Sequence, residues 1–198
     1  MLAGVWIGPS LVAAAYLSGS VCFGLLAARR AGVDLRSIGS GNVGATNVGR
    51  ALGGRAARLV LFLDAAKGAL PVGVGVFLLG RLDPYTGGAA FAAVVGHCYP
   101  LYFGFRGGKG VATAAGVVAV LQPIAVGTGL GAFLLLRRAT GKTSVGSLGG
   151  VLVALGTVAA IDRLAPPTAA VAAIVVLVIW RHRENLRRLR TGKELDAP

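Results

Sequence analysis

Apolar residues along this chain fall in long unbroken runs, with no alternation of the kind a half-buried strand would need. The pattern predicts helical segments at about Val5–Ala28, Ala57–Leu79, Gly87–Tyr102, Val111–Leu121, Pro123–Leu136, Val145–Ile161 and Thr168–Trp180. A full membrane crossing takes about 20 residues, so the third to seventh segments must be short, tilted or partly re-entrant. The expected fold is an all-α integral membrane protein. It has seven transmembrane helices, several short or broken, in one membrane-embedded domain over residues 1–198. Ser18, Gly19 and Ser20 in the first segment are small enough to let a neighbouring helix approach closely. No basic region precedes Val5, so the first apolar run is read as a retained span, not a signal peptide.

Composition supports the membrane reading. Of the 198 residues, 55% are hydrophobic and 14% charged, and the mean hydropathy is +0.75. Soluble domains are nearer a quarter charged. The net charge of +13 would suggest nucleic acid in a soluble protein, but aromatics are only 7% here and the charge lies between apolar spans. Anionic headgroups or anionic substrates fit better, and nucleic acid is not expected. With seven crossings, all 20 basic residues except Arg81, Arg163 and Lys67 fall on one face. The positive-inside rule makes that face cytoplasmic, with the N-terminus outside and the C-terminus inside. Fusing segments four and five at Gln122–Pro123 would send Arg137, Arg138 and Lys142 to the opposite side. Cys22 and Cys98 lie in or beside apolar segments and read as small buried hydrophobes.

Three polar stretches share the cytoplasmic face. The first, GSGNVGATNVGR (Gly39–Arg50), sits between two long apolar segments and is expected to resist regular helix. Folded back on itself it can aim several backbone amides, helped by hydroxyls and Arg50, at one oxyanion. Gly39, Gly41 and Gly44 fit a dinucleotide-binding spacing. That motif must follow a buried strand, however, and a membrane-length segment precedes this one. A plain linker would be Gly and Ser with little else. The second stretch, GHCYPLYFGFRGGKGVAT (Gly96–Thr113), has interfacial aromatics, a helix-breaking Pro100, and glycines around Lys109 ahead of a helix start. Such a turn favours anions. It is not a phosphate loop of the Walker type, because Phe103 stands at the required first glycine and Gly110 replaces the hydroxyl residue. The third, RHRENLRRLRTGKE (Arg181–Glu194), reads as a basic surface helix. In it His182 and Asn185 share a face, and Arg187, Arg188 and Arg190 meet headgroups. Asp64 is expected to pair with Lys67 one turn on, His97 to hydrogen-bond the broken end of the third helix, and Ser144 to line the mouth of the site.

The site is rich in anion binders and poor in bases. Neither histidine heads an H-x-x-x-x-D pair, since Tyr102 and Arg187 occupy those places, and two distant histidines give no zinc spacing. No metal or cofactor is expected. Activated anionic substrates, positioned and stabilised by charge, fit this inventory. An anion carrier is the alternative, because glycine-rich half-helix ends also bind substrates in carriers. Against it, all three stretches lie at one face, with no internal repeat.

The three stretches together closely resemble the bacterial acyl-phosphate-dependent glycerol-3-phosphate acyltransferases, the PlsY family, in the right order and over nearly the whole chain. The resemblance implies seven spans with the N-terminus outside, in a bacterial inner membrane. It implies transfer of an acyl group from acyl phosphate to the first hydroxyl of glycerol 3-phosphate, with no cofactor, by a protein taken as monomeric. Matching positions assign catalysis to Ser40, Arg50, Lys109, His182 and Asn185, and phosphate binding to Gly41, Asn42, Gly44, Thr46, Asn47, Gly107 and Gly108. Arg106 stands where lysine is common in the family, and Cys98 fills a variable position.

Overall fold

The structure is a computed structural model and describes residues 3–197. Among these, every regular element is helical. In chain order the helices are α1 (Ala3–Gly19), α2 (Phe23–Arg30), α3 (Ala45–Leu52), α4 (Gly54–Leu79), α5 (Pro84–Cys98), α6 (Val111–Leu121), α7 (Pro123–Thr140), α8 (Thr143–Asp162), α9 (Pro166–Arg181) and α10 (Arg183–Arg190). A short 3₁₀ turn, Leu101–Phe103, follows α5. By length and composition three stretches can cross a membrane outright: Trp6–Arg30, Gly54–Leu79 and Thr143–Asp162.

Two expectations need correction. The Gly39–Arg50 stretch is irregular only in its first half, because Ala45–Leu52 forms a helix. Burial of Val48 against Leu35, Val43 and Val60 outweighs the weak helix propensity of Thr, Asn and Gly there. The first apolar segment is not continuous either. It breaks between Gly19 and Phe23, where the Ser20 amide bonds back to Tyr16 and a new helix starts after Cys22.

Small residues set the spacing of the bundle. A side chain on Gly19 would strike the Ala93 carbonyl and one on Gly96 the Tyr16 carbonyl, so α1 and α5 meet backbone to backbone. Gly116 does the same against Ala65, joining α6 to α4. Where lipid tails remove the hydrophobic drive between helices, such close approach is a main source of association. The core runs through α4, α5, α6, α8 and α9, with Val72, Val94, Val117, Val158 and Ile174 fully enclosed. Large apolar side chains face outward instead, among them Phe62, Leu70 and Phe77 on α4 and Leu135 on α7. This is how a lipid-facing surface looks.

The bundle has two chemically different ends. At one, Arg81 donates to both carboxylate oxygens of Asp162, at 2.7 and 3.0 Å, and to the Leu121 carbonyl at 3.2 Å. Gln122 joins the same carboxylate at 3.4 Å. The turn between α6 and α7 therefore lies beside the ends of α4 and α8. At the other end the Ala197 amide donates to the Gly141 carbonyl just past α7. The three polar stretches gather there.

Candidate active site

Ser40, Gly41 and Asn42 of the first stretch, Gly107 and Lys109 of the second, and Arg181, Arg183, Glu184 and Arg188 of the third line one cavity of about 140 Å³. Four cations face one carboxylate, so the cavity is strongly electropositive.

The first wall is a loop wrapped around Asn47. This side chain, 1% exposed, accepts from the Ser40 amide at 3.1 Å and donates to the Leu35 and Ile38 carbonyls at 3.0 and 2.9 Å. Gly39 and Gly41 take left-handed backbone (φ 57° and 67°), and a side chain on Gly39 would run into the Asn47 oxygen. Asn47 thus shapes the loop from behind, and its amide is spent on that task. Gly44 caps α3, with Thr46 in the first turn, and neither lines the cavity. Arg50 also stands off the cavity. Its Nη2 donates to the Asp196 carbonyl at 2.7 Å.

The second wall is the turn Gly107–Lys109. Its glycine amides do not point into the cavity as expected of a phosphate cradle. The Gly107 N–H donates to the Cys98 carbonyl at 3.2 Å and the Gly108 N–H to the His97 carbonyl at 3.1 Å. A side chain on Gly108 would overlap the His97 ring. Behind the turn, His97 Nδ1 lies 3.7 Å from Asp64, and Asp64 pairs with Lys67 at 2.8 Å, both deeply buried. Lys67 also donates to the Val21 carbonyl at 2.6 Å, bridging the break after α1. What the turn offers to the cavity is Lys109. Burial, reinforced by the charge of Arg188, lowers its pKa to about 8, with Glu194 and Glu184 opposing.

The third wall is the joint between α9 and α10. His182 is buried, and its Nδ1 lies 2.7 Å from the Val178 carbonyl. A carbonyl only accepts, so Nδ1 carries the hydrogen and Nε2 keeps a free lone pair. Burial, with the charge of Lys109, lowers the His182 pKa to about 4. Asn185 is buried one turn on and donates to Glu194 Oε1 at 2.5 Å. Its own oxygen has no partner. Both residues sit immediately behind Arg181, Arg183 and Glu184, just outside the cavity lining.

Glu194 fastens this wall. Its other oxygen accepts from Arg188 at 2.8 Å, and its backbone carbonyl accepts from Lys142 at 2.7 Å. Burial alone would raise its pKa, but hydrogen bonds from Arg188 and Asn185 prevail and hold it below the usual range. Ser144, buried at the start of α8, has its hydroxyl beside the same carboxylate but outside good hydrogen-bond geometry, and does not reach the cavity. Among the described residues, no group of His, Cys, Asp or Glu is placed to hold a metal.

The sequence brought Ser40, Gly41, Asn42, Gly107 and Lys109 to the cavity. It missed Arg181, Arg183 and Arg188, because an arginine at a membrane surface looks the same whether it meets headgroups or a cavity. No local signal marked them, since the joint at His182 between α9 and α10 shows only in the structure.

Fold and site together define a multi-pass helical membrane protein with an electropositive cavity at one end of its bundle. The chain matches the glycerol-3-phosphate acyltransferase family model over residues 10–192 and belongs to that family. It is 48% identical over 193 residues to the glycerol-3-phosphate acyltransferase of Anaeromyxobacter sp. (strain Fw109-5), covering 95% of each chain. It is 46% identical over 198 residues to that of a Thermus thermophilus strain, covering 98% of this chain and 95% of the other. The crystal structure of PlsY, an integral membrane glycerol 3-phosphate acyltransferase, in its glycerol 3-phosphate form matches with a TM-score of 0.94 at 40% identity over 96% of both chains. The lysophosphatidic acid form matches with a TM-score of 0.91 at 40% identity, over 96% of this chain and 94% of that one.

Proposed function

We propose that this protein transfers a fatty acyl group from acyl phosphate to the sn-1 hydroxyl of glycerol 3-phosphate, giving lysophosphatidic acid and inorganic phosphate, the first step of phospholipid synthesis. The carrying observation is that all three polar stretches contribute to one small cavity with four cations and a single carboxylate, in a chain of this family. We place the seven crossings in a bacterial inner membrane, as one domain acting as a monomer, with the N-terminus outside and the site at the cytoplasmic face. Contacts of Leu121 and Gln122 at one end of the bundle, and of Gly141 at the other, support separate crossings for α6 and α7.

The hydroxyl oxygen of glycerol 3-phosphate attacks the acyl carbon. The bond from that carbon to the phosphate oxygen breaks, and phosphate leaves with the electron pair. Acyl phosphate is a mixed anhydride with a good leaving group, so no acyl-enzyme is required. Lys109 stabilises negative charge in the cavity, Ser40 and Asn42 give polar contacts, and Arg50 at the rim holds a substrate phosphate once it exchanges the Asp196 carbonyl. The hydroxyl proton goes to a phosphate oxygen of the donor. An imidazole held at about 4 is a weak base for that step. His182 Nε2 instead accepts a hydrogen bond that orients the hydroxyl, with Asn185 beside it.

Purified protein in detergent, given both substrates, should release phosphate and form lysophosphatidic acid detectable by mass spectrometry. Omitting glycerol 3-phosphate should abolish the product. Release that requires a sealed vesicle would refute the assignment in favour of a carrier.

A further inference from the structure

Arg181 does more than anchor a helix end at a membrane surface. Its Nε donates to the Gly108 carbonyl at 3.0 Å and its Nη2 to the Gly107 carbonyl at 2.9 Å. The guanidinium lies over the Tyr99 ring, 5.1 Å from its centre. Tyr99 is in turn fixed to α1, because its carbonyl accepts from the Tyr16 hydroxyl at 3.0 Å. The amides of the same two glycines are already committed to Cys98 and His97. Both peptide groups of the turn are therefore held at both ends, and Lys109 follows directly from that fixed point.

Two consequences follow from elementary electrostatics. Carbonyl oxygens bordering an anion cavity repel the anion, and a cation bonded to both removes that repulsion. A lysine ammonium lacks the rigid planar fork that holds two carbonyls side by side while lying flat on a tyrosine. We propose that Arg181 is a positioning residue for phosphate capture: it turns the Gly107 and Gly108 carbonyls away from the bound anion and fixes the direction of Lys109. The proposal rests on the acyl-transfer reading of the site and adds a residue to it.

The test uses the full chain purified in detergent, with Arg181→Lys and Arg181→Ala, read by thermal midpoint, by calorimetric binding of glycerol 3-phosphate, and by phosphate release. Arg181→Lys keeps the charge and most of the stem. It is expected to fold with a near-wild-type midpoint yet bind glycerol 3-phosphate about tenfold more weakly, with KM raised more than kcat is lowered. Methylguanidinium should restore part of the binding to Arg181→Ala, and methylammonium at the same concentration should not. Wild-type affinity in Arg181→Lys would overturn the proposal, as would equal rescue by both cations. Failure of the lysine variant to fold would also overturn it, since Arg181 would then hold the fold and not the site. A wild-type protein that binds the ligand but never turns over refutes the acyl-transfer reading alone, and the binding arm still decides the role of Arg181.

Discussion

Lys109 should impose an upper pH limit on substrate capture. Its pKa is lowered to about 8, so about nine-tenths of the side chains are charged at pH 7 and about one-tenth at pH 9. If only the charged form holds the phosphate, the KM for glycerol 3-phosphate rises about tenfold across that interval. That corresponds to about 1.4 kcal/mol, at the lower edge of what a hydrogen bond to a charged group contributes. The substrate itself does not titrate there, because a phosphate with a second pKa near 6 is already dianionic. Nor does unfolding by this lysine mimic the effect. Its folded pKa lies below the unfolded value of 10.5, so the unfolded state binds more protons between about 8 and 10.5. The contribution of Lys109 to stability therefore improves as pH rises through that window. The measurement is phosphate release against glycerol 3-phosphate concentration from pH 6.5 to 9.5, with spontaneous donor hydrolysis subtracted. Lys109→Arg carries a charge that does not titrate, and should flatten the profile. A wild-type KM that stays level between pH 7 and 9, or an equal rise in Lys109→Arg, would refute the argument.

Three other outcomes follow from the geometry. Asn47→Ala orphans the Ser40 amide and the Leu35 and Ile38 carbonyls, at about 1–3 kcal/mol for each group left buried and unpaired. A lowered thermal midpoint in detergent together with a raised KM is expected, and an unchanged midpoint would contradict the role given to it. His182→Gln should lower kcat by about tenfold, within the range of a lost orienting contact, while leaving the shape of the pH–rate profile between 6 and 8 intact. Disappearance of a titrating limb would make the histidine the base after all. Gly116→Leu drives a side chain into the Ala65 carbonyl and should abolish a monodisperse, folded protein in size-exclusion chromatography.

The helices were largely legible because their signal is local. Val111–Leu121 has the bounds that its apolar run predicts, closed by Gly110 before it and Gln122–Pro123 after it. Helix α3 was not legible, since Thr46, Asn47 and Gly49 are poor helix formers and the burial of Val48 that favours winding them up is not visible locally. The site was legible as a convergence of three stretches but not in its orientation. The Gly107 and Gly108 amides face the end of α5, bonded to Cys98 and His97, while their carbonyls meet Arg181, more than seventy residues away in sequence, and neither set of contacts shows in the local sequence. The buried role of Asn47 depends on a loop whose course the glycines permit but do not dictate. Glu194 merely closes the third stretch in sequence, and its contacts with Asn185 and Arg188 are what make it a fastening.

The short helix α6 has a consequence for how the two substrates meet. Its 11 residues make roughly 16 Å of helix, about half a typical hydrocarbon layer. Thr113 and Gly116, near its start, pack beside Gly68 and Ala65, while α4 continues back to Gly54. Thr113, four residues after Lys109, therefore packs against the middle of α4 and not against its first turn. Under the proposed acyl transfer, a donor dissolved in the bilayer would present its head at that depth with its tail still in the oil.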